Sequence, residues 1–443
     1  MSNQTEVTNK GGALSPSSYV IKKAELFPSN KSKPVDIRQM FMTLDFVESL
    51  GTPYIEATAF LQDAGNFLSI LKLNGNEKVK ITIGRKKQAD SETLDENQKW
   101  ELDLRVIELS DYSRTSPSKQ FYKLRMSSPW LMTNTAKQVV NAFDGTVASV
   151  IEKILKNNLS IERIEKINTS SKEPVKGIFP SMQPLQAAVW LLNNCYEEST
   201  PFFLYETCKK GVYLDSLKSM FEKESTHKFE LKAFFSSNPG TSEYYDEVQK
   251  RIIKFSSPIN YSQFSNVNKG VYASKVEMID IFNKKFIVNE YRYSDNTKFN
   301  KFQPFSNNDE VDGSKLNQLV NSKSYYVSLN PGSFDKSNIH SPLNNTIMKG
   351  EAYHGALSTN TMEMDIVGDF GLEVGNVIDV EVSKASSADQ LDESTMIDKY
   401  LSGKYLIKKI NSNFYEKFTQ RLTLVRDSVG LDIDEKESNE GDA

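Results

Sequence analysis

Residues 361–428 constrain this chain more than any other stretch, because they alternate apolar and polar side chains, break at glycines, and alternate again. The block opens with TMEMDIVGDFGLEVGNVIDVEV. Met362, Met364 and Ile366 fall on one face and Glu363 and Asp365 on the other, the period of a strand with one buried face. The run stops at Gly368 and resumes after Gly371 and Gly375, which reads as strand, tight turn, strand. SGKYLIKKINSNFYEKFTQRLTLVRDS then supplies two more strands, 404–410 and 418–426, with Ser412 and Asn413 expected between them. Four short antiparallel strands make most of a small barrel. Nothing in the block reads as a catalytic loop, so its message is architecture.

A similar pattern stands near the N-terminus. Arg38 to Glu48 carries Met40, Met42, Leu44 and Phe46 at period two, and Tyr54 to Leu61 follows a turn at Gly51-Thr52-Pro53. Val79 to Ile83, Trp100 to Leu109 and Phe121 to Met126 alternate in the same way. Asn66 to Leu73 is a short apolar run of helical or strand character. Several short strands with turn signals between them predict a first barrel or sandwich.

Between these units the period changes. Asp144 is positioned to cap a helix in which Val147, Val150, Ile151, Ile154 and Leu155 form one stripe. A second helix is expected from Ser181 to Cys195, then a hairpin with strands at Phe202 to Glu206 and Val212 to Leu214. Strand character returns at Ile252 to Phe255 and Val271 to Ile281, and a short helix around Thr346 to Leu357 leads into the final block. The chain thus reads as a β-rich α+β protein with two similar antiparallel β-barrels. The expected organisation is a flexible N-terminus (1–16), a first barrel (17–127), an α+β insert domain (128–248), the first part of a second barrel (249–293), a polar insert (294–357), the rest of the second barrel (358–428) and a disordered acidic tail (429–443). Residues 250–290 and 358–428 are expected to share one barrel. The layout suggests internal duplication, although the residues show no repeat.

Bulk properties narrow the function classes. The 443 residues leave room for about two to four domains. Net charge is -4, from 54 basic and 58 acidic side chains, without the basic excess of a dedicated nucleic-acid binder. Cys195 and Cys208 are too few for a disulfide scaffold and read as reduced thiols. No stretch approaches the roughly 18 apolar residues of a membrane span, so no membrane insertion is expected. MSNQTEVTNKGG lacks the apolar core of a secretion signal, and assembly in a cytoplasm is expected.

Candidate chemistry is sparse. His227, His340 and His354 lie far apart, in polar surroundings and without metal-ligand spacing. Ser333, Asp335 and His340 are close in sequence, but triads are assembled by folds and not by adjacency. Asn307 to Gly313 places Asp309 and Asp312 in an acidic turn without the spacing of a calcium loop. No phosphate-binding glycine motif occurs. Glu363 and Asp365 share a strand face, as some carboxylates must in so acidic a chain. The aromatic-rich stretch 294–345 reads equally as an interaction surface and as loops anchored on a small core. No catalytic, cofactor or metal residue is predicted.

GDFGLEVGN at 368–376 and the 402–428 strands resemble the baseplate hub proteins of contractile-tailed bacteriophages, a family related to the hub portion of type VI secretion spikes. Gly403, Tyr405, Ile407 and Ile410 match its G-x-Y-x-I-x-x-I strand. PFFLYETCKKGVYLDSL at 201–217 and YIEATAFLQDAGNFLSILKLNGNEKVKITI at 54–83 resemble its middle and first domains. The resemblance covers about 50–428; the loop from Ser383 to Tyr400 is longer than it leads one to expect. It implies tail-tube-like barrels whose structural turn and strand positions are Gly368, Gly371, Gly375, Gly403, Tyr405, Ile407 and Ile410. It also implies a non-enzymatic homotrimer in the virion, without cofactors. Six barrels would form a pseudo-sixfold ring between the hexameric tail tube above and the trimeric central spike below, beside the baseplate wedge and tape measure proteins. The rival classes are a tail-associated cell-wall hydrolase and a receptor- or carbohydrate-binding tail module.

Overall fold

The computed structural model describes residues 15–426 apart from 29–32, 88–92, 117–118, 171–173, 193–195, 198–199, 232–236, 239–240, 257–262, 281–283, 293–309, 312, 329–340, 358–360, 385–396 and 399–400. The acidic tail, Cys195, His340 with Ser333 and Asp335, Asp309 with Asp312, and most of the 294–345 and 383–400 stretches lie outside the described residues.

Twelve strands form the frame. The first unit contains β1 (Val20–Phe27), β2 (Phe41–Ser49), β3 (Thr52–Asp63), β4 (Lys78–Lys86), β5 (Leu94–Ser116) and β6 (Lys119–Ser127). The second contains β7 (His227–Leu231), β8 (Ile252–Ser256), β9 (Thr361–Val367), β10 (Val377–Val382), β11 (Gly403–Phe414) and β12 (Phe418–Val425). Side-chain alternation sorts each strand. Ile55, Ala57, Ala59 and Leu61 of β3 point inward, as do Val79, Ile81 and Ile83 of β4 and Trp100, Leu102, Leu104 and Val106 of β5. Burying each large apolar side chain contributes roughly 1.5–3 kcal/mol, enough to fix register against a one-residue slip.

The two units share one strand order. In the first it runs β2-β3-β6-β5-β4-β1, and in the second β8-β9-β12-β11-β10-β7. Relative to its own first strand, each unit has its strands in the order second, third, sixth, fifth, fourth, first. One orientation differs: β1 is antiparallel to β4, whereas β7 is parallel to β10. The second unit closes on itself through a bridge between Glu230 and Arg251, which joins β7 to the start of β8. In the first unit Ile37 donates its amide to Ala24 O across the gap between β1 and the turn entering β2.

Several expectations need correction. Ala273–Asp280 does not join the second barrel. It pairs with Lys285–Arg292 and Ser324–Ser328 in a separate sheet, over a core of Val276, Met278, Tyr291, Met348 and Ala352. Alternation identifies a buried face but not the element that covers it. Conversely, β7 lies within the stretch assigned to the α+β insert yet pairs with β10. Ser412 and Asn413 are no turn: they lie inside β11, and the reversal comes at 415–417.

The α+β insert packs the helices Val147–Lys153 and Pro184–Leu192 against a sheet that includes Ile164–Ile167, Thr200–Thr207 and Gly211–Ser216. Thr146, not Asp144, caps the first helix, accepting from the Ser149 amide at 3.3 Å. Asp144 sits on the preceding strand with Lys176 at 2.8 Å. No helix among the described residues is long and apolar enough to cross a membrane.

Candidate functional site: the seam between the two β units

Strand β11 belongs to both units. Leu406, Ile407 and Ile410 enter the core of the second, whereas Phe414 enters the core of the first. Past its pairing with β10, residues 409–414 run antiparallel to residues 49–44 of β2, so one continuous sheet crosses the boundary. Two polar pairs lie along this seam: Asn413 donates to Asp45, and Ser412 accepts from Gln420 of β12 at 3.1 Å.

The loop after β9, residues 368–376, locks the seam. Gly368 lies under the ring of Phe418, where a Cβ would come within 2.4 Å of a ring carbon, so any side chain collides. Phe370 is fully buried, with its ring 5.0 Å from Trp100 of β5 and 4.5 Å from Phe418. Phe414 stacks on Phe418 at 4.3 Å, completing an aromatic cluster built from both units. Polar contacts fix the backbone around it. Trp100 Nε1 donates to Phe370 O at 3.0 Å, Arg85 donates to Gly368 O, and the Asp369 amide donates to Gln420 Oε1 at 2.8 Å.

Asp369 is buried, and its carboxylate collects donors. Gln98 Nε2 lies at 2.9 Å, the Gly371 amide at 2.7 Å, Gln249 Nε2 at 3.3 Å and His227 Nε2 at 3.4 Å. Burial alone would raise its pKa. The hydrogen bonds from His227, Gly371 and Gln98 outweigh burial and hold the carboxyl well below the usual range. Farther along, Glu373 accepts from Thr207 Oγ1 at 2.9 Å and Tyr213 Oη at 3.2 Å, with Lys210 Nζ at 3.4 Å. Gly375 has φ +82°, and a Cβ there would come within 2.6 Å of Tyr205 Oη. It needs glycine for both reasons. Its amide donates to Ile407 O at 3.0 Å. One loop thus ties together both β units and the insert hairpin.

Most of the positions singled out from sequence meet here. Gly368, Gly371 and Gly375 lie in the locking loop, and Ile407 and Ile410 lie under it. Gly403 and Tyr405 stand at the far end of β11, where the Tyr405 hydroxyl donates to Leu401 O at 2.8 Å and Arg426 lies 5.4 Å over the ring. Reading by alternation missed Trp100 and Phe370 as partners, and Asp369 as the hub of the polar contacts. The signal for Phe370 was an aromatic between two glycines in a turn, where solvent exposure would be expected. His227 is not a surface side chain in isolation, because it holds Asp369 and stacks on Phe229. Cys208 is a buried free thiol. Among the described residues no group of three His, Cys, Asp or Glu side chains is placed to hold a metal ion. The arrangement fixes the geometry of the two units relative to each other.

The fold is similar to that of the tail protein from Neisseria meningitidis MC58, with TM-score 0.52, 10% identity, and coverage of 92% of this chain and 97% of that one. It is equally similar to the 43 kDa tail protein of prophage MuSo2 from Shewanella oneidensis, with TM-score 0.52, 7% identity, and coverage of 92% of this chain and 100% of that one. At these identities the likeness is one of fold. No family model matches the chain, and no curated protein matches it in sequence.

Proposed function

We propose that this chain is the structural baseplate hub subunit of a contractile phage tail. Three copies form a ring that adapts the hexameric tail tube to the trimeric central spike. The observation that carries this reading is the strand order shared by the two β units, joined across a continuous sheet. A chain with two like units, taken three times, presents six like surfaces while keeping true threefold symmetry. It can therefore face a sixfold partner on one side and a threefold partner on the other. The locking loop suits this role, since a ring that carries load needs its two units held at a fixed angle. The insert and its hairpin would extend toward neighbouring tail components, and the protein would reside in the virion tail after assembly in the host cell.

The test is the mass of the purified full chain by native mass spectrometry. The expected species is a trimer, at three chain masses, that persists on dilution to low micromolar concentration. A monomer or a twofold dimer would overturn the adaptor reading.

A further inference from the structure

We propose that the joint between the insert hairpin and the two β units is a proton-dependent latch, closed while the carboxyl of Glu48 is neutral and opened when it ionises. The inference goes beyond the hub reading and does not depend on it. Its basis is three carboxyls from three modules gathered about the end of one hairpin strand, Thr200–Thr207: Glu48 of β2 on the Cys208 amide, Glu373 of the locking loop on the Thr207 hydroxyl, and Glu206 of the strand itself.

Glu48 is 2% exposed and sits opposite Ile410 in the seam. One of its oxygens accepts the Cys208 amide of the hairpin turn, Oε2 is buried without a well-aligned hydrogen bond, and among the described residues the weakly donating Cys208 thiol is the only other donor beside the carboxyl. Glu206 accepts from Ser128 Oγ and from the Ile55 amide at 3.3 Å. Glu373 is bound by Thr207, Tyr213 and Lys210 as described.

The other titratable groups around this cluster lie on the hairpin and on the neighbouring strand Ile164–Ile167, whose Glu165 faces Tyr213. The hairpin contributes Cys208, Tyr205, Tyr213 and Asp215, and Asp215 is already held by Lys166 at 2.9 Å and Lys223 at 3.3 Å. The cations are Lys210, which lies beside Glu373, and Arg163, whose nitrogens donate to Lys209 O at 2.7 Å and Glu101 O at 3.1 Å. No cation among them bonds Glu48. A buried carboxylate with only the Cys208 amide and thiol as donors and no cation beside it is costly, whereas the neutral acid is tolerated. Burial, reinforced by Glu373 and Glu206, pushes Glu48 up to about 8, and burial pushes Glu206 up to about 7.

The sign follows from these shifts. The folded joint holds protons that the unfolded chain releases near the ordinary carboxylate value, so its stability falls as pH rises from about 5 to 8. Above that range the carboxylates repel, and the hairpin lifts from the seam.

Cys208 is 0% exposed at this joint and reports its opening. The experiment uses the full chain with Cys195→Ser and measures the labelling rate of Cys208 by methyl methanethiosulfonate from pH 6 to 9, corrected for thiolate fraction. A rise of tenfold or more between pH 7 and 9 is expected, and Glu48→Gln should flatten it. An unchanged profile in Glu48→Gln, or a flat profile in the parent, would overturn the latch. Hydrogen exchange on the unmodified chain tests the same point without a variant. Amides of Thr200–Thr207 and Gly211–Ser216 should lose protection above pH 8, after correction for intrinsic exchange, while those of β3 keep it. Equal protection at pH 7 and pH 9 would overturn the proposal.

Discussion

Phe370→Ala is expected to destabilise the protein by about 3–5 kcal/mol, the range for deleting a fully buried aromatic side chain from a packed core. The ring is the one part of the locking loop that enters the first unit's core. It contacts Trp100 and Phe418 edge-on or tilted, and such pairs add about 0.5–1.5 kcal/mol each beyond burial. The cavity would open where both units meet, so the loss should appear as reduced coupling as well as reduced stability. Urea unfolding by tryptophan fluorescence reads the effect directly, because Trp100 lies against the deleted ring. Phe264→Ala is the control: its side chain is 80% exposed and should change stability by less than about 0.5 kcal/mol. A loss below about 1 kcal/mol for Phe370→Ala would show that the loop covers the seam without locking it. Gly368→Val approaches the same point from the other side. It forces two methyl groups against Phe418, and overpacking of this kind costs about 1–3 kcal/mol or more.

What could be read from sequence divides along a physical line. Alternation in β3, β4 and the start of β5 was legible, because each strand has one buried and one solvated face. Pairing between distant strands was not. Nothing in HKFEL indicates that it lies beside VIDVEV, more than a hundred residues away, since pairing is decided by backbone geometry that both sequences permit equally. Polar residues inside a strand misled for a related reason. Ser412 and Asn413 look like a turn, yet at the seam Ser412 is buried, Asn413 is half-buried, and both side chains find partners there. Val20–Phe27 escaped notice because its apolar positions are interrupted by Lys22 and Lys23, where the pairing with β4 slips. The glycines of the locking loop were visible as turn residues. Their second role, giving an aromatic ring and a tyrosine hydroxyl room to approach the backbone, is visible only when those partners are in place.

The polar half of the lock makes its own prediction. Asp369→Ala should cost about 2–4 kcal/mol at pH 7, because a buried carboxylate that satisfies several donors leaves them unpaired when removed. Its pH dependence runs opposite to that of Glu48. The folded-state pKa of Asp369 is depressed, so its contribution is present above the unfolded value near 4 and is lost as pH falls through the acid range. Urea unfolding of the parent and of Asp369→Ala should therefore converge as pH is lowered from 7 toward 2, while Asp103→Ala, exposed on β5 with only a surface ion pair, should stay within about 0.5 kcal/mol of the parent throughout. Convergence would mean that the ionised carboxylate, gathering Gln98 from the first unit, Gly371 from the loop, His227 from β7 of the second unit and Gln249 from the helix between β7 and β8, stabilises the docked arrangement. A gap of constant size down to pH 2 would assign the loss to packing, and the lock would then rest on Phe370 alone.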